Sequence, residues 1–280
     1  MKMLGVVTLY NTKRDTALDN IGLYAPHVDH LIVWDNSAVC HEAWFRSLSV
    51  DYHWTGQNTY IAPAINYAFN YARTHGFQML LVMDDDSQWN DFAAYRKAAE
   101  HIVGQGQTMV FTPYVKGVDT FRITGEMQEK RLFINSGMIV PIEILQAIGG
   151  VDEEAFPLDA LDHDIAFSIR EHGYKAVCLT NHLMHHSLGY PQRLGPFRLF
   201  TPNYDRNRTY NMTRSHIICY RKHKALMTKE DKDYLYNEIL RRKFLRIILA
   251  EPDKLGRLKS FIRGILSGCN YKLRKTDEDK

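Results

Sequence analysis

Five short apolar runs, each closed by polar residues and separated by longer stretches, constrain this chain more than any other feature. They are MLGVVTL (3–9), HLIVWD (30–35), VDYHW (50–54), MLLVMD (79–84) and TMVFTPY (108–114), several of them rich in Val or Ile as strands are. Helical period fills the gaps. In NTYIAPAINYAFNYARTHG the residues Ile61, Ile65, Ala68, Phe69 and Ala72 share one face, Pro63 suits a first turn, and Gly76 suits a helix C-terminus. Alternation of this kind predicts an α/β fold with a mostly parallel, Rossmann-like central sheet flanked by helices. With 280 residues, 45% of them hydrophobic, the chain can bury a substantial core. After Tyr114 the pattern loosens. RLFINSGMIV (131–140) reads as a strand interrupted by a small-residue turn, followed by a helix that starts at Pro141 and ends at Gly149 and Gly150. LDHDIAFSIREHGY then reads as a helix stopped by Gly173.

In open sheets of this class, ligands bind at the carboxyl ends of the strands. Polar residues gather at four such ends: Thr8 to Asn11, Asp35 to Ser37, Gly56 to Asn58 and Asp84 to Ser87. The last group holds three consecutive aspartates, whose mutual repulsion makes them hard to ionise unless something compensates. A divalent cation would do so, being the largest charge in such a site. Alternation along an extended segment puts Asp84 and Asp86 on one side and Asp85 on the other. A D-x-D pair without a surrounding cage suits Mg²⁺ or Mn²⁺. Taken alone, DDDS reads first as an acidic turn or a cap with Ser87; its place beside three other polar strand ends favours the cation. An EF-hand is excluded, because Trp89 and Tyr95 stand where its Gly and Glu belong. Neither a G-x-x-x-x-G-K-[ST] nor a G-x-G-x-x-G motif offers a phosphate cradle.

The ordered segments VVTLYN, LIVWDNS, GQNTYIAPAINYAF, MLLVMDDDSQW, INSGMIVPIEILQAIGGVDEEAFPLDALDHDIAFSIREHGY, HHSLG and RTYNMTRS resemble the inverting family-2 glycosyltransferases of the GT-A fold, in their rhamnosyltransferase-like branch. The resemblance covers roughly residues 3 to 220, so that 1–220 would form the GT-A domain and 221–280 a helical basic extension. It implies metal-dependent transfer of a sugar from a nucleotide diphosphate to an acceptor hydroxyl, in bacterial-type surface polysaccharide synthesis. The donor it suggests is dTDP-rhamnose, with a UDP-hexose or UDP-galactofuranose as alternatives. The acceptor would be a glycan or lipid-linked glycan.

By the same resemblance Thr8, Tyr10, Asn11, Asn58, Asn66 and Asp85 would border the nucleotide, and Asp35 would accept from the base N3–H. Asp84 would contact the ribose or the metal, Asp86 would bind the metal, and His186 of HHSLG would be a third ligand, leaning the site toward Mn²⁺. His182 with His186 could also mimic a helical zinc pair, a reading ranked low without a carboxylate helix. FPLDALDHDIAF supplies the general base, Asp162 or Asp159 with preference for Asp162, while Asp164 serves most simply as a cap. Arg208 and Arg214 would either screen the pyrophosphate or orient their helix.

Net charge is +3, but residues 241–275 carry eleven Lys or Arg against two acidic residues, a local +9. Two helical segments there break at Glu251 and Pro252. The second groups Leu255, Leu258, Phe261, Ile262, Ile265 and Leu266 opposite Arg257, Lys259 and Arg263. Such a helix fits an anionic membrane surface, or packs on the domain or on a second copy. Nucleic acid is not expected, since the basic residues lack interleaved aromatic platforms. Four scattered cysteines suggest neither a disulfide framework nor a zinc ribbon and fit a reducing, cytoplasmic setting, peripheral at most to the inner membrane face. The amino-terminal run reads as a first strand rather than a signal peptide. Alternatives to a transferase are a catalytically inactive nucleotide- or carbohydrate-binding relative and a metal-dependent phosphohydrolase.

Overall fold

The computed structural model of the chain describes residues 1–186 and 192–273. Those residues form two compact units, the first from 1–153 with 168–186 and the second from 154–167 with 192–273. In the first unit the strands are β1 (Met3–Leu9), β2 (His30–Asp35), β3 (Asp51–Trp54), β4 (Met79–Asp84), β5 (Ser87–Trp89), β6 (Val110–Lys116), β7 (Met127–Glu129), β8 (Met138–Pro141) and β9 (Ala176–His186). They make one sheet in the order β3-β2-β1-β4-β8-β6-β9-β5, with β7 also on β9. Strands β3, β2, β1 and β4 are parallel neighbours; β8 runs antiparallel between β4 and β6.

All seven residues of β1 are buried, as expected of a strand covered on both faces, and its apolar run is accordingly continuous. Met3, Val7 and Leu9 join a core with Leu81, Met83, Trp89, Phe92 and Tyr95. The opposite face is covered by α2 (Ala62–Thr74), which follows α1 (Arg14–Gly22) and buries Ile65, Ala68, Phe69 and Ala72. Pro63 falls in the first turn of α2, where its missing N–H is no loss, and Gly76 takes φ +71° beyond its end. The next helices are α3 (Phe92–Gly104), capped by Asp91 accepting from Ala94 N at 2.9 Å, and α4 (Ile142–Ala147), which begins directly after Pro141.

Two expectations change. Within 131–140 only 138–140 are strand, because Ser136 and Gly137 form a turn into β8. Gly137 has φ +82°, and a Cβ there would stand 2.8 Å from both Met184 Sδ and Pro113 Cγ, so no larger residue fits. The short β5 and β7 carry no signal in the sequence; both are three-residue strands recruited antiparallel by the eleven-residue β9.

Helix α5 (Leu161–Glu171) runs from residues of the second unit into residues of the first. The second unit adds the hairpin β10 (Gln192–Leu194) and β11 (Leu199–Thr201) and the helices α6 (Arg206–His223), α7 (Lys229–Tyr234), α8 (Lys243–Leu249) and α9 (Lys254–Asn270), with a π-helical stretch Leu235–Arg242 before α8. Asp205 caps α6 through Arg208 N, and Thr228 with Asp231 forms a capping box on α7. The break at Glu251 and Pro252 is as expected, but Arg257 is not on an outer charged face. Its guanidinium is buried on Glu251 Oε2 at 3.0 Å, with Lys243 Nζ 3.1 Å from the same oxygen and Thr201 donating to Oε1. Lowering the dielectric around two cations requires a shared anion, and Glu251 supplies it. Among the described residues no helix is long and apolar enough to cross a membrane.

Candidate metal and nucleotide site

Strand register assembles the polar rim. Chain order reverses its direction of travel across the sheet at β1, the place where open α/β sheets leave a crevice. There Thr8 is paired with Asp84 on one side and Trp34 on the other, Leu9 with Asp35, and Asp35 with Trp54. The ends of four parallel strands are therefore level.

From β4 the chain turns through Asp85 and Asp86 into β5, where Ser87 stands opposite His186 of β9. This register brings Asp84, Asp86 and His186 together, with one ligand atom from each lying within 4.8 Å of the others. His186 Nδ1 is 3.2 Å from Asp86 Oδ1, and that oxygen, enclosed by the fold, receives no hydrogen bond among the described residues. Burial favours neutral His186, but Asp86, Asp84 and Asp85 outweigh it and lift the imidazole pKa above its ordinary value. Behind the trio a chain of hydroxyls runs inward: His186 Nδ1 to Ser87 Oγ at 2.9 Å, Ser87 Oγ to Ser136 Oγ at 2.6 Å, and Asp84 N donating to Ser136 Oγ at 3.1 Å. The sequence marks Ser87 only as a possible cap, and Ser136 only by the small-residue turn INSG.

Asp85 lies outside the trio, on the side of Tyr10, although it and Asp86 form a turn rather than the extended segment expected. It accepts from Tyr10 N at 3.0 Å, and burial, reinforced by Asp86 and Asp84 against that hydrogen bond, pushes its pKa up to about 7. Its main-chain oxygen accepts from Asn20 Nδ2 at 2.8 Å, which fixes the turn on α1.

The other residues assigned to the nucleotide differ in what they leave free. Tyr10 is exposed, and Asn11, at φ +54°, donates its N–H to Ser37 Oγ at 3.1 Å. Thr8 is buried in β1. Asp35 is fully buried and already accepts three hydrogen bonds, from Ser37 N (2.8 Å), Tyr52 Oη (2.6 Å) and His41 Nδ1 (2.9 Å). Asn58 accepts from Tyr60 N at 2.9 Å in a local turn. Asn66 spends its amide on Val151 and Glu153, tying α2 to the segment before the first unit ends. Sequence reasoning missed Trp54, half-exposed at the end of β3, with its indole N–H fixed on Ser37 O at 2.9 Å.

In the second unit Asp159 precedes α5 and Asp162 lies in its first turn. Asp159 Oδ1 lies 3.4 Å from Arg208 Nη2, its buried Oδ2 has no hydrogen-bond partner among the described residues, and burial raises its pKa against the pull of Arg208. Asp162 accepts from His163 N at 2.8 Å. Asp164 is not a cap: buried, it accepts from Lys222 Nζ at 2.7 Å and His223 Nε2 at 2.8 Å and so binds α5 to the end of α6. Arg214 donates to Glu154 O at 2.7 Å and stacks over Tyr271 at 4.8 Å, a structural role, whereas Arg208 stacks on Tyr204 at 4.4 Å beside Asp159.

No family model and no curated protein matches the sequence. Solved structures do match in fold. The S. aureus glycosyltransferase TarS, residues 1–349, superposes with a TM-score of 0.54 at 15% identity over 95% of this chain and 81% of that one. Its complex with UDP-GlcNAc gives 0.54 at 14%, over 95% of this chain and 82% of that one. GalNAc-T7 with UDP, GalNAc and Mn²⁺ gives 0.59 at 13%, over 95% of this chain and 56% of that one. A longer TarS chain is matched over 44% of its length, at a TM-score of 0.53 and 16% identity over 87% of this chain.

The chain has a GT-A-type fold.

On that GT-A frame the trio fits a divalent cation in its donor set, two carboxylates and one imidazole, and in the enclosed Asp86 Oδ1, which faces His186 Nδ1 at 3.2 Å and accepts no hydrogen bond among the described residues. The helical zinc pair is overturned: His182 and His186 lie on strand β9, where residues four apart are about 13 Å distant, and the His182 ring rests against Tyr95 at 5.7 Å. Ser187 to Gly189, the rest of the HHSLG segment, lie outside the described residues.

Proposed function

We propose that this chain is a metal-dependent inverting glycosyltransferase of the family-2, rhamnosyltransferase-like kind, which moves a sugar from a UDP- or dTDP-linked donor onto a hydroxyl of a glycan or lipid-linked glycan. The observation that carries this reading is the convergence of Asp84, Asp86 and His186 at the carboxyl end of a parallel strand in a GT-A-type fold. Those three residues would hold Mn²⁺ or Mg²⁺, which supplies positive charge for a departing diphosphate. Tyr10, Asn11 and Trp54 stand at the strand ends where the nucleoside would lie, while Asp35, Asn58, Asn66 and Asp85 act on it by fixing the loops that border it. Residues 1–220 carry the transfer in this reading and 221–280 form an extension.

The acceptor oxygen bonds to the anomeric carbon, the bond from that carbon to the diphosphate oxygen breaks, and the acceptor proton passes to a carboxylate. Asp162 takes that proton in the reading we favour, with Asp159 as the second candidate. Rhamnose is the expected sugar, ahead of a hexose or galactofuranose.

Calorimetry with UDP and dTDP, with and without Mn²⁺, tests the site directly. Nucleotide and ion are expected to bind jointly, and Asp86→Asn to abolish the joint term; no joint association in the unaltered protein refutes the reading. Changing the true base to Asn lowers turnover about 10²–10⁴-fold and leaves donor binding intact. Equal activity of the Asp159→Asn and Asp162→Asn enzymes removes both from that role.

A further inference from the structure

Helix α9 is packed inside out. Its contact with α6 is made by glycines: a Cβ on Gly264 would lie 2.8 Å from Tyr210 O, and one on Gly268 would lie 2.9 Å from Arg214 O, so the two backbones touch. Phe261 and Arg257 complete the buried side. Large aliphatic residues face the other way. Leu255, Ile262 and Leu266, 76%, 47% and 56% exposed, follow one another at intervals of seven and four and so form a single stripe. Phe244 and Leu245 of α8 are exposed as well, with Phe244 6.3 Å from the Phe261 ring. Burying the small residues and presenting the large ones is the reverse of what water selects.

Charge distinguishes between coverings. From Lys254 to Leu273 the sequence has four Lys or Arg besides the buried Arg257, and no acidic residue. Lys259 and Arg263 are exposed along one border of the stripe. A second copy meeting this face antiparallel about a two-fold axis would set this cationic border against the same border of its partner. A surface of anionic headgroups accepts them, while the stripe enters the acyl boundary and the long basic side chains keep their charges among the phosphates.

We propose that the outward face of α9 seats on an anionic lipid surface. The inference is independent of the transfer chemistry, because it rests on residues that take no part in it.

Sedimentation of the full chain with sucrose-loaded vesicles tests it, using phosphatidylcholine alone and phosphatidylcholine with phosphatidylglycerol. Binding is expected with phosphatidylglycerol, weaker by about tenfold or more without it, and reduced by salt. The triple variant Leu255→Gln, Ile262→Gln, Leu266→Gln should lower partitioning at least about tenfold, since three aliphatic side chains no longer leave water. Lys259→Glu with Arg263→Glu should lose about fivefold for each cation removed. All five positions are exposed, so melting temperatures should stay near that of the unaltered protein; if the triple variant does not fold, the charge pair carries the test. Absence of binding to phosphatidylglycerol vesicles, or binding untouched by both variants, overturns the proposal. So does a concentration-dependent dimer that the triple variant abolishes, which would make a second copy the occupant.

Discussion

Ser87→Ala isolates the hydroxyl chain behind the carboxylates. Ser87 is fully buried, and its Oγ lies 2.6 Å from Ser136 Oγ and 2.9 Å from His186 Nδ1. Ser87, itself fixed on Ser136, holds the imidazole by its Nδ1 in one orientation beside Asp86. Alanine removes both hydrogen bonds, each worth about 1 kcal/mol net, so the fold should lose about 2 kcal/mol. Losing a partner that orients a metal-ligating histidine typically weakens metal binding about 10–100-fold, or about 1.4–2.8 kcal/mol. Manganese binding is measured by calorimetry or by the paramagnetic resonance of the free ion, and stability by chemical denaturation. A variant that loses the stability but binds Mn²⁺ within twofold of the unaltered protein would show that Ser87 is packing alone, and the orientation argument would fail.

Two further expectations concern the second unit. Glu251→Gln leaves Lys243 and Arg257 buried around a neutral group, which should cost about 3–5 kcal/mol in denaturant unfolding; a cost under about 1 kcal/mol would mean the cluster is not held by charge. Half-buried His216, facing His163 at 5.7 Å and Tyr234 at 6.2 Å and hydrogen-bonded to Met212 O, has its pKa pushed down to about 3 by burial and then by His163. It is neutral when folded, whereas the unfolded chain takes up a proton below about pH 6.5, so this stability is complete above that pH and falls as the pH drops toward about 3. At pH 5 the full effect would be about 2 kcal/mol, and partial solvent access should reduce it to about 1 kcal/mol. His216→Gln should accordingly flatten the fall in melting temperature between pH 7 and pH 5, and an unchanged slope counts against the assignment.

Much of this architecture was legible because it depends on local period. The apolar runs of β1 and β4 are continuous because both faces are buried, and the expected grouping of Asp84 with Asp86 apart from Asp85 appears, although a turn rather than strand alternation produces it. What the sequence hid depends on distant partners. Arg257 shares its helix with Lys259 and Arg263 and has no local mark, yet it is buried because Glu251 waits across the Pro252 break. Asp35 reads as a free strand-end acid until Ser37, His41 and Tyr52 are seen to fill its oxygens. Likewise the outward stripe of α9 was visible as Leu255, Ile262 and Leu266, but Phe261 belongs to the opposite side because glycines set the depth of its packing.

Ser87 and His186 meet across 99 positions of sequence. An ion shared by Asp86 and His186 would therefore act as a staple as well as an electrophile, fastening the two edges of a long excursion that includes β6, β7, β8 and α5. Chelation should then quicken amide exchange where β5 meets β9 while leaving β1 and β2 protected, a footprint that reports occupancy without any sugar being transferred.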